Sequence, residues 1–323
     1  MILNGGGYFS LELAQGREFF QNNRDYYVRR YNSARSAICR AIYDSGAEKV
    51  WLPYYLCPSV KEFLDKEEIK YSLYHIDRDF LPKELKVKEN EIVLWVNYFG
   101  MISEEKYQKI HQMYHKVIFD NTQAFFEKPN AGAYNVYSCR KFFGVSDGAY
   151  LIAKFSKNDE ILMTSRTIDS ARFLLESIET STNDCYMQSL ENERRIEQEG
   201  IRTMSKITRR ILDSIDYEYI AIRRKRNFEV INNYLKAYNL FHFDFMPNVP
   251  MFYPFLTLNC DLRERLICRK IYVPQLWKAV AEDQNSNEWE RFLSQNLVVL
   301  PIDQRYTEED MVQMKDIVLK EMT

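Results

Sequence analysis

Short apolar runs, separated by segments of helical spacing, set the pattern of this 323-residue chain. Val117-Ile118-Phe119, Ile92 to Val96 and Ala133 to Tyr137 show little of the apolar/polar alternation that marks a half-exposed strand. Strands of this kind are buried on both faces, as in parallel sheets covered by helices. Lys49 to Leu52, Lys70 to Ile76 and Ala149 to Phe155 read as further strands. Between them, Ala37, Ile38, Ala41 and Ile42 recur at helical spacing and stop at Gly46, which makes Asn32 or Ser33 the expected N-cap. Pro58 suits the first turn of a helix running on from Val60, and residues 104–115 read as another helix. Strands that alternate with helices in this way predict an α/β fold with a mainly parallel sheet.

Either side of that core the pattern changes. Residues 1–28 begin with Gly5-Gly6-Gly7 and an alternating apolar stretch from Tyr8 to Leu13, an arm expected to pack on another domain or subunit. Residues 159–236 are helical and heavily charged, and Glu191 to Arg210 reads as an amphipathic helix with a solvated face. The tail then offers a strand from Phe252 to Leu258, a helix from Leu262 to Arg269, strands at Tyr272-Val273 and Leu297 to Leu300, and a terminal helix opened by Thr307-Glu308-Glu309-Asp310. The expected organisation is an arm (1–28), a large domain (29–235) and a smaller C-terminal α/β domain (236–323).

A net charge of −2 with interspersed signs supplies no basic field of the kind that nucleic-acid binding needs. No apolar run reaches the roughly 18 residues of a membrane span, and the first residues lack the pattern of a signal peptide. Six cysteines with no paired spacing read as reduced thiols, consistent with a cytoplasmic protein. His111 and His115 share a helix face, but no nearby carboxylate or cysteine completes a metal-ligand set, so no metal site is expected.

The most specific chemistry lies between Ile118 and Leu151. Asp120 ends an apolar strand and Gln123 follows three residues later; the next strand delivers Ser138, Cys139, Arg140 and Lys141 into a turn closed by Gly144 and Asp147-Gly148. Strand ends are where open α/β sheets bind ligands. An amine shielded from water there has a lowered pKa and is a nucleophile. The helix start at Ser33 to Ser36 is an anion site in waiting. Amine, carboxylate and anion site are the parts that pyridoxal phosphate (PLP) requires: a lysine for the Schiff base, an acid for the ring nitrogen and a helix N-terminus for the phosphate.

The ordered segments NSARSAI, LPYYLCPSV, VNYFG, FDNTQAF, YSCRKFFGVSDGAYL and VVLPIDQRY resemble the DegT/DnrJ/EryC1/StrS group of fold type I PLP enzymes, from about Gly6 to Arg305. The resemblance implies a seven-stranded-type, mainly parallel sheet in a large domain beside a small C-terminal domain. It implies Lys141 as the Schiff-base lysine, Asp120 as partner of the pyridine nitrogen and Gln123 as a contact to the ring's phenolic oxygen. Ser33, Ala34 and Ser138 would lie near the phosphate and Tyr55 beside the ring. Ser33-Ala34-Arg35 stands where the family commonly has Ser-Gly-Thr, which adds Arg35 to the cofactor-binding stretch. The implied activity is transfer of an amino group from an amino-acid donor to a keto group, usually on a nucleotide-linked sugar, by a homodimer using PLP and its amino form, PMP. The alternatives are a catalytically silent relative acting as a scaffold, and a sugar dehydratase, whose known forms replace the lysine with histidine. Outside this set, Cys139 reads as core rather than an activated thiol, Arg223 to Arg226 as a solvated face, and Tyr98 and Arg305 as either structural or near the pocket.

Overall fold

The computed structural model describes residues 7–9, 11–21, 25–154, 162–166, 168–242 and 248–322; Gly5, Gly6 and Phe155 lie outside them. A seven-stranded sheet is built from β1 (Tyr27–Tyr31), β2 (Lys49–Pro53), β3 (Tyr71–Tyr74), β4 (Glu91–Val96), β5 (Val117–Asp120), β6 (Tyr134–Ser138) and β7 (Ala149–Ala153), in the order β1-β7-β6-β5-β4-β2-β3. Strands β4 to β7 are buried along their whole length, as their largely apolar sequences require. Strands β3, β2, β4, β5 and β6 are parallel neighbours. β7 pairs antiparallel with both β6 and β1, so β1 points the same way as the parallel set and β7 alone runs against it.

This topology brings distant segments to one edge. The register aligns Tyr31 and Ser138 on either side of Ala149, and Val96 beside Asp120. The chain leaving β1, β4, β5 and β6 therefore emerges on the same side of the sheet, where β7 begins. Helices α1 (Ala34–Ser45), α2 (Pro58–Lys66) and α3 (Glu104–Met113) are the connections after β1, β2 and β4. Ser33 is the N-cap of α1: its side chain accepts the Ser36 N–H, and Gly46 closes the helix in the left-handed conformation.

After β7 come α4 (Arg172–Glu179), α5 (Tyr186–Glu199), α6 (Lys206–Leu212) and α7 (Tyr217–Leu235). The segment from Glu191 to Arg210 is two helices rather than one, because Gly200 at φ 68° ends α5 and Ser205 caps α6 afresh. The C-terminal unit pairs β8 (Tyr253–Leu256) with β9 (Leu297–Leu300) and carries α8 (Leu262–Cys268), α9 (Lys278–Glu282), α10 (Glu288–Asn296) and α11 (Glu308–Met322). Tyr272-Val273 forms no strand; Pro274, which has no N–H to give to a ladder, follows directly. α7 packs on α11 and β8. Arg224 of α7 is not on a solvated face. It is buried, donating from Nε to Gln304 Oε1 at 3.0 Å and from Nη1 to the Met251 carbonyl at 2.8 Å, with its guanidinium 4.6 Å from the Phe142 ring centre. Burial pulls its pKa down to about 10. Gln304 Nε2 in turn donates to the Phe142 carbonyl at 2.8 Å, so the C-terminal unit braces the turn that follows Lys141.

The other side of that turn is held by Asp147. Its carboxylate is buried and accepts the Ser205 N–H at 2.9 Å, the Ser205 hydroxyl at 2.8 Å and the Thr208 hydroxyl, tying the turn to the start of α6. Desolvation raises its pKa, and the three donors oppose that shift. Asp147→Ala strands three buried donors and should cost about 2–4 kcal/mol in urea unfolding; a loss below about 1 kcal/mol would show that the anchor is dispensable.

Candidate active site

A cavity of about 270 Å³ opens at the shared edge, lined by residues from β4, β5 and β6, from the turns after β2, β5 and β6, and from α1 and α2. Lys141, Asp120, Gln123, Ser138, Ser33, Ala34 and Arg35 all border it, together with Thr122, Cys57, Arg140 and Glu193. Residues more than 100 positions apart meet here because β1, β5 and β6 end at one level.

Lys141 Nζ donates to Thr122 Oγ1 at 2.9 Å, and the Thr122 N–H donates to Asp120 Oδ1, also at 2.9 Å. Thr122 thus stands between amine and carboxylate. Lys141 is open to the cavity, but the surrounding protein displaces much of the water that would stabilise an ammonium. Desolvation is the leading influence and pulls its pKa below the ordinary lysine range. The Asp120 charge opposes most strongly; Cys57 and Glu193 also raise the pKa, and Arg140 lowers it. Asp120 is buried and, among the described residues, makes no ion pair. Gln123 uses its carbonyl oxygen to accept the Phe99 N–H at 3.0 Å, which leaves its amide N–H groups without a protein partner among the described residues.

One end of the cavity is formed by the first turn of α1, whose leading N–H groups have no partner within the helix. It is held in place by Asn32. The Gly148 N–H donates to the Asn32 carbonyl at 2.8 Å, and Asn32 Nδ2 donates to the Gly200 carbonyl at 3.0 Å. One asparagine therefore joins the start of α1, the end of the lysine turn and the end of α5.

No family model matches the chain, and no curated protein matches it by sequence. Solved structures do. The sugar aminotransferase CalS13 from Micromonospora echinospora superposes with a TM-score of 0.61 at 12% identity, covering 91% of this chain and 87% of that one. DesV from S. venezuelae, solved in complex with a ketimine intermediate, gives 0.62 at 14% identity and 91% and 84% coverage. Helicobacter pylori PseC, an aminotransferase involved in pseudoaminic acid biosynthesis, gives 0.60 at 12% identity, covering 91% and 86%. The chain has the fold of these aminotransferases. Its architecture is fold type I, with the mostly parallel seven-stranded sheet that the resemblance implies.

Tyr55 departs from expectation. It does not line the cavity; its ring is buried against Tyr98 and Trp277, at centroid distances of 5.6 and 4.9 Å. The wall at that point is formed by Leu56 and Cys57, with Trp277 contributed by the C-terminal unit. Tyr98 is likewise core, donating its hydroxyl to the Tyr55 carbonyl at 2.7 Å. Arg305 pairs with Asp303 through two 2.8 Å contacts. Cys139 is core, and burial raises its thiol pKa. His111 Nε2 lies 2.7 Å from the Ala131 carbonyl oxygen. Sequence reasoning missed Thr122, Glu193 and Trp277. Thr122 was discoverable, since it lies between Asp120 and Gln123 on the turn leaving β5.

Removing the charge at Asp120 takes away the strongest influence that raises the Lys141 pKa. Asp120→Asn should therefore move the pH at which an amine-selective reagent labels Lys141 to a lower value, read by peptide mass spectrometry. An unchanged or upward shift would contradict the coupling.

Proposed function

We propose that this chain is a PLP-dependent aminotransferase that moves an amino group from an amino-acid donor to a keto group on a small molecule, with a nucleotide-linked sugar as the favoured acceptor class. The observation that carries the reading is the joint placement of a desolvated lysine amine, a buried carboxylate without an ion pair and a helix N-terminus around one cavity. The cofactor fits these residues on three counts. Asp120 has an oxygen with no donor among the described residues, suited to a protonated ring nitrogen. Gln123 has free amide N–H groups for a phenolic oxygen. Ser33, Ala34, Arg35 and Ser138 line the same cavity and would hold the phosphate. The likeness to aminotransferases across about nine-tenths of the chain supports the same reading.

When bound, PLP supplies an electron sink for negative charge on the carbon beside the transferred nitrogen. The protein's part is positional and protonic. Lys141, with its pKa drawn down by desolvation, gives up its proton more readily than an exposed lysine and is placed to take it back within the cavity. Thr122 Oγ1 fixes where that amine sits, and the Asp120 carboxylate would accept the hydrogen bond of the ring nitrogen. Leu56, Cys57 and Trp277 wall the cavity and limit water at the reacting atoms.

We read the working form as a homodimer. Tyr8, Phe9 and Leu11 on the arm, and Leu175, Ile178, Tyr186 and Met187 on α4 and α5, are exposed to a degree that a second copy would relieve. No helix among the described residues is long and apolar enough to cross a membrane.

Adding PLP to the purified protein should produce a visible absorbance band of lysine-bound cofactor that Lys141→Ala abolishes. A band that survives the substitution, or a wild-type protein that never develops one, would overturn the reading.

A further inference from the structure

The anion end of the cavity carries an ion-pair network that neither Lys141 nor Asp120 needs. Arg140 Nη1 donates to Glu193 Oε1, and the other Glu193 oxygen lies 4.0 Å from Arg35 Nη2. Arg35 Nη1 donates to Glu197 Oε1 at 2.9 Å. Arg35, Arg140 and Glu193 all line the cavity with Ser33 and Ala34; Glu197 does not. Arg35 is only 8% exposed, yet its Nε and Nη2 have no hydrogen-bond partner among the described residues. Buried guanidinium N–H groups are costly to leave unpaired, and their fork geometry matches a phosphate.

Glu193 differs from Arg35 in being loosely held. Its side chain is 44% exposed, so it can turn into solvent at small cost. The helix that bears it cannot move as easily. α5 is fastened by Asn192 Nδ2 to the Ser146 carbonyl at 2.6 Å, and just past its C-terminal end the Gly200 carbonyl accepts Asn32 Nδ2. Two arginines and two glutamates balance to zero charge while Glu193 is in place. With Glu193 turned out, one net positive charge faces the first turn of α1.

The geometry points to Glu193 as the guard of the anion subsite: an internal carboxylate that occupies Arg140 and faces Arg35 until a phosphate monoester displaces it. This rests on the functional reading above only in taking the phosphate to be the cofactor's. It gives the arginine at the position where Ser-Gly-Thr is usual a task, holding phosphate by charge and by its N–H fork. It also makes phosphate affinity depend on a residue outside the segments that carry the family resemblance.

The test compares wild type, Glu193→Gln and Glu197→Gln. Inorganic phosphate binding is read by the shift in thermal midpoint, and pyridoxal phosphate and pyridoxal binding by the visible band. Glu193→Gln should bind inorganic phosphate and pyridoxal phosphate about tenfold more tightly, the scale expected when a like charge is removed from an anion's neighbourhood. Its pyridoxal affinity should not change, and Glu197→Gln should gain clearly less. Phosphate affinity that is unchanged or weaker in Glu193→Gln overturns the guard, as does an equal gain in Glu197→Gln or an equal gain for pyridoxal. If phosphate binding tightens as expected but no variant forms the visible band, the guard stands and the aminotransferase reading falls. If the band forms in wild type without any gain in Glu193→Gln, the reverse holds.

Discussion

Strand direction is the constraint on which the site depends. In the seven-stranded sheet β7 alone opposes the rest, so the chain leaving β1, β4, β5 and β6 reaches one edge. That places the N-terminus of α1, with its unpaired amides, beside the turn that carries Lys141, and Asp120 one strand further in. Every ladder hydrogen bond that fixes the register also fixes this juxtaposition. A one-residue slip between β6 and β7 would send Ser138 to the opposite face and move the lysine turn away from Asn32.

Two buried carboxylates illustrate how environment divides structural from chemical roles. Asp147 accepts three protein donors and pins the lysine turn to α6. Asp120 accepts one backbone N–H and faces the Lys141 amine across Thr122. A buried charge needs a partner, and only at Asp120 is that partner left to come from outside the protein. Arg35 differs again: its charge is met by Glu197, while Nε and Nη2 make no hydrogen bond among the described residues.

Much of this was legible in the residues. The largely apolar runs located β4, β5 and β6, and Asp120, Gln123 and Lys141 stood at or just past the ends of β5 and β6; Ser33 capped α1 as its side-chain type suggests. The failures were of a different kind. The family resemblance implies Tyr55 beside the ring, but its ring packs into the core against Tyr98 and Trp277 and leaves Leu56 and Cys57 at the cavity. Arg224 looked like a surface charge in a basic run, and only the C-terminal unit folding over α7 buries it. Glu193 and Trp277 reach the cavity from other elements, and no local pattern marks a residue whose role is set by a contact some 50 to 140 positions away.

The central claim is that Lys141 is the residue that engages the cofactor covalently. Borohydride reduction of the protein mixed with pyridoxal phosphate, followed by peptide mapping, tests it most directly. The account predicts one phosphopyridoxyl group per chain, on the peptide that contains Lys141. A modification spread over surface lysines, or fixed on a different lysine, would contradict it.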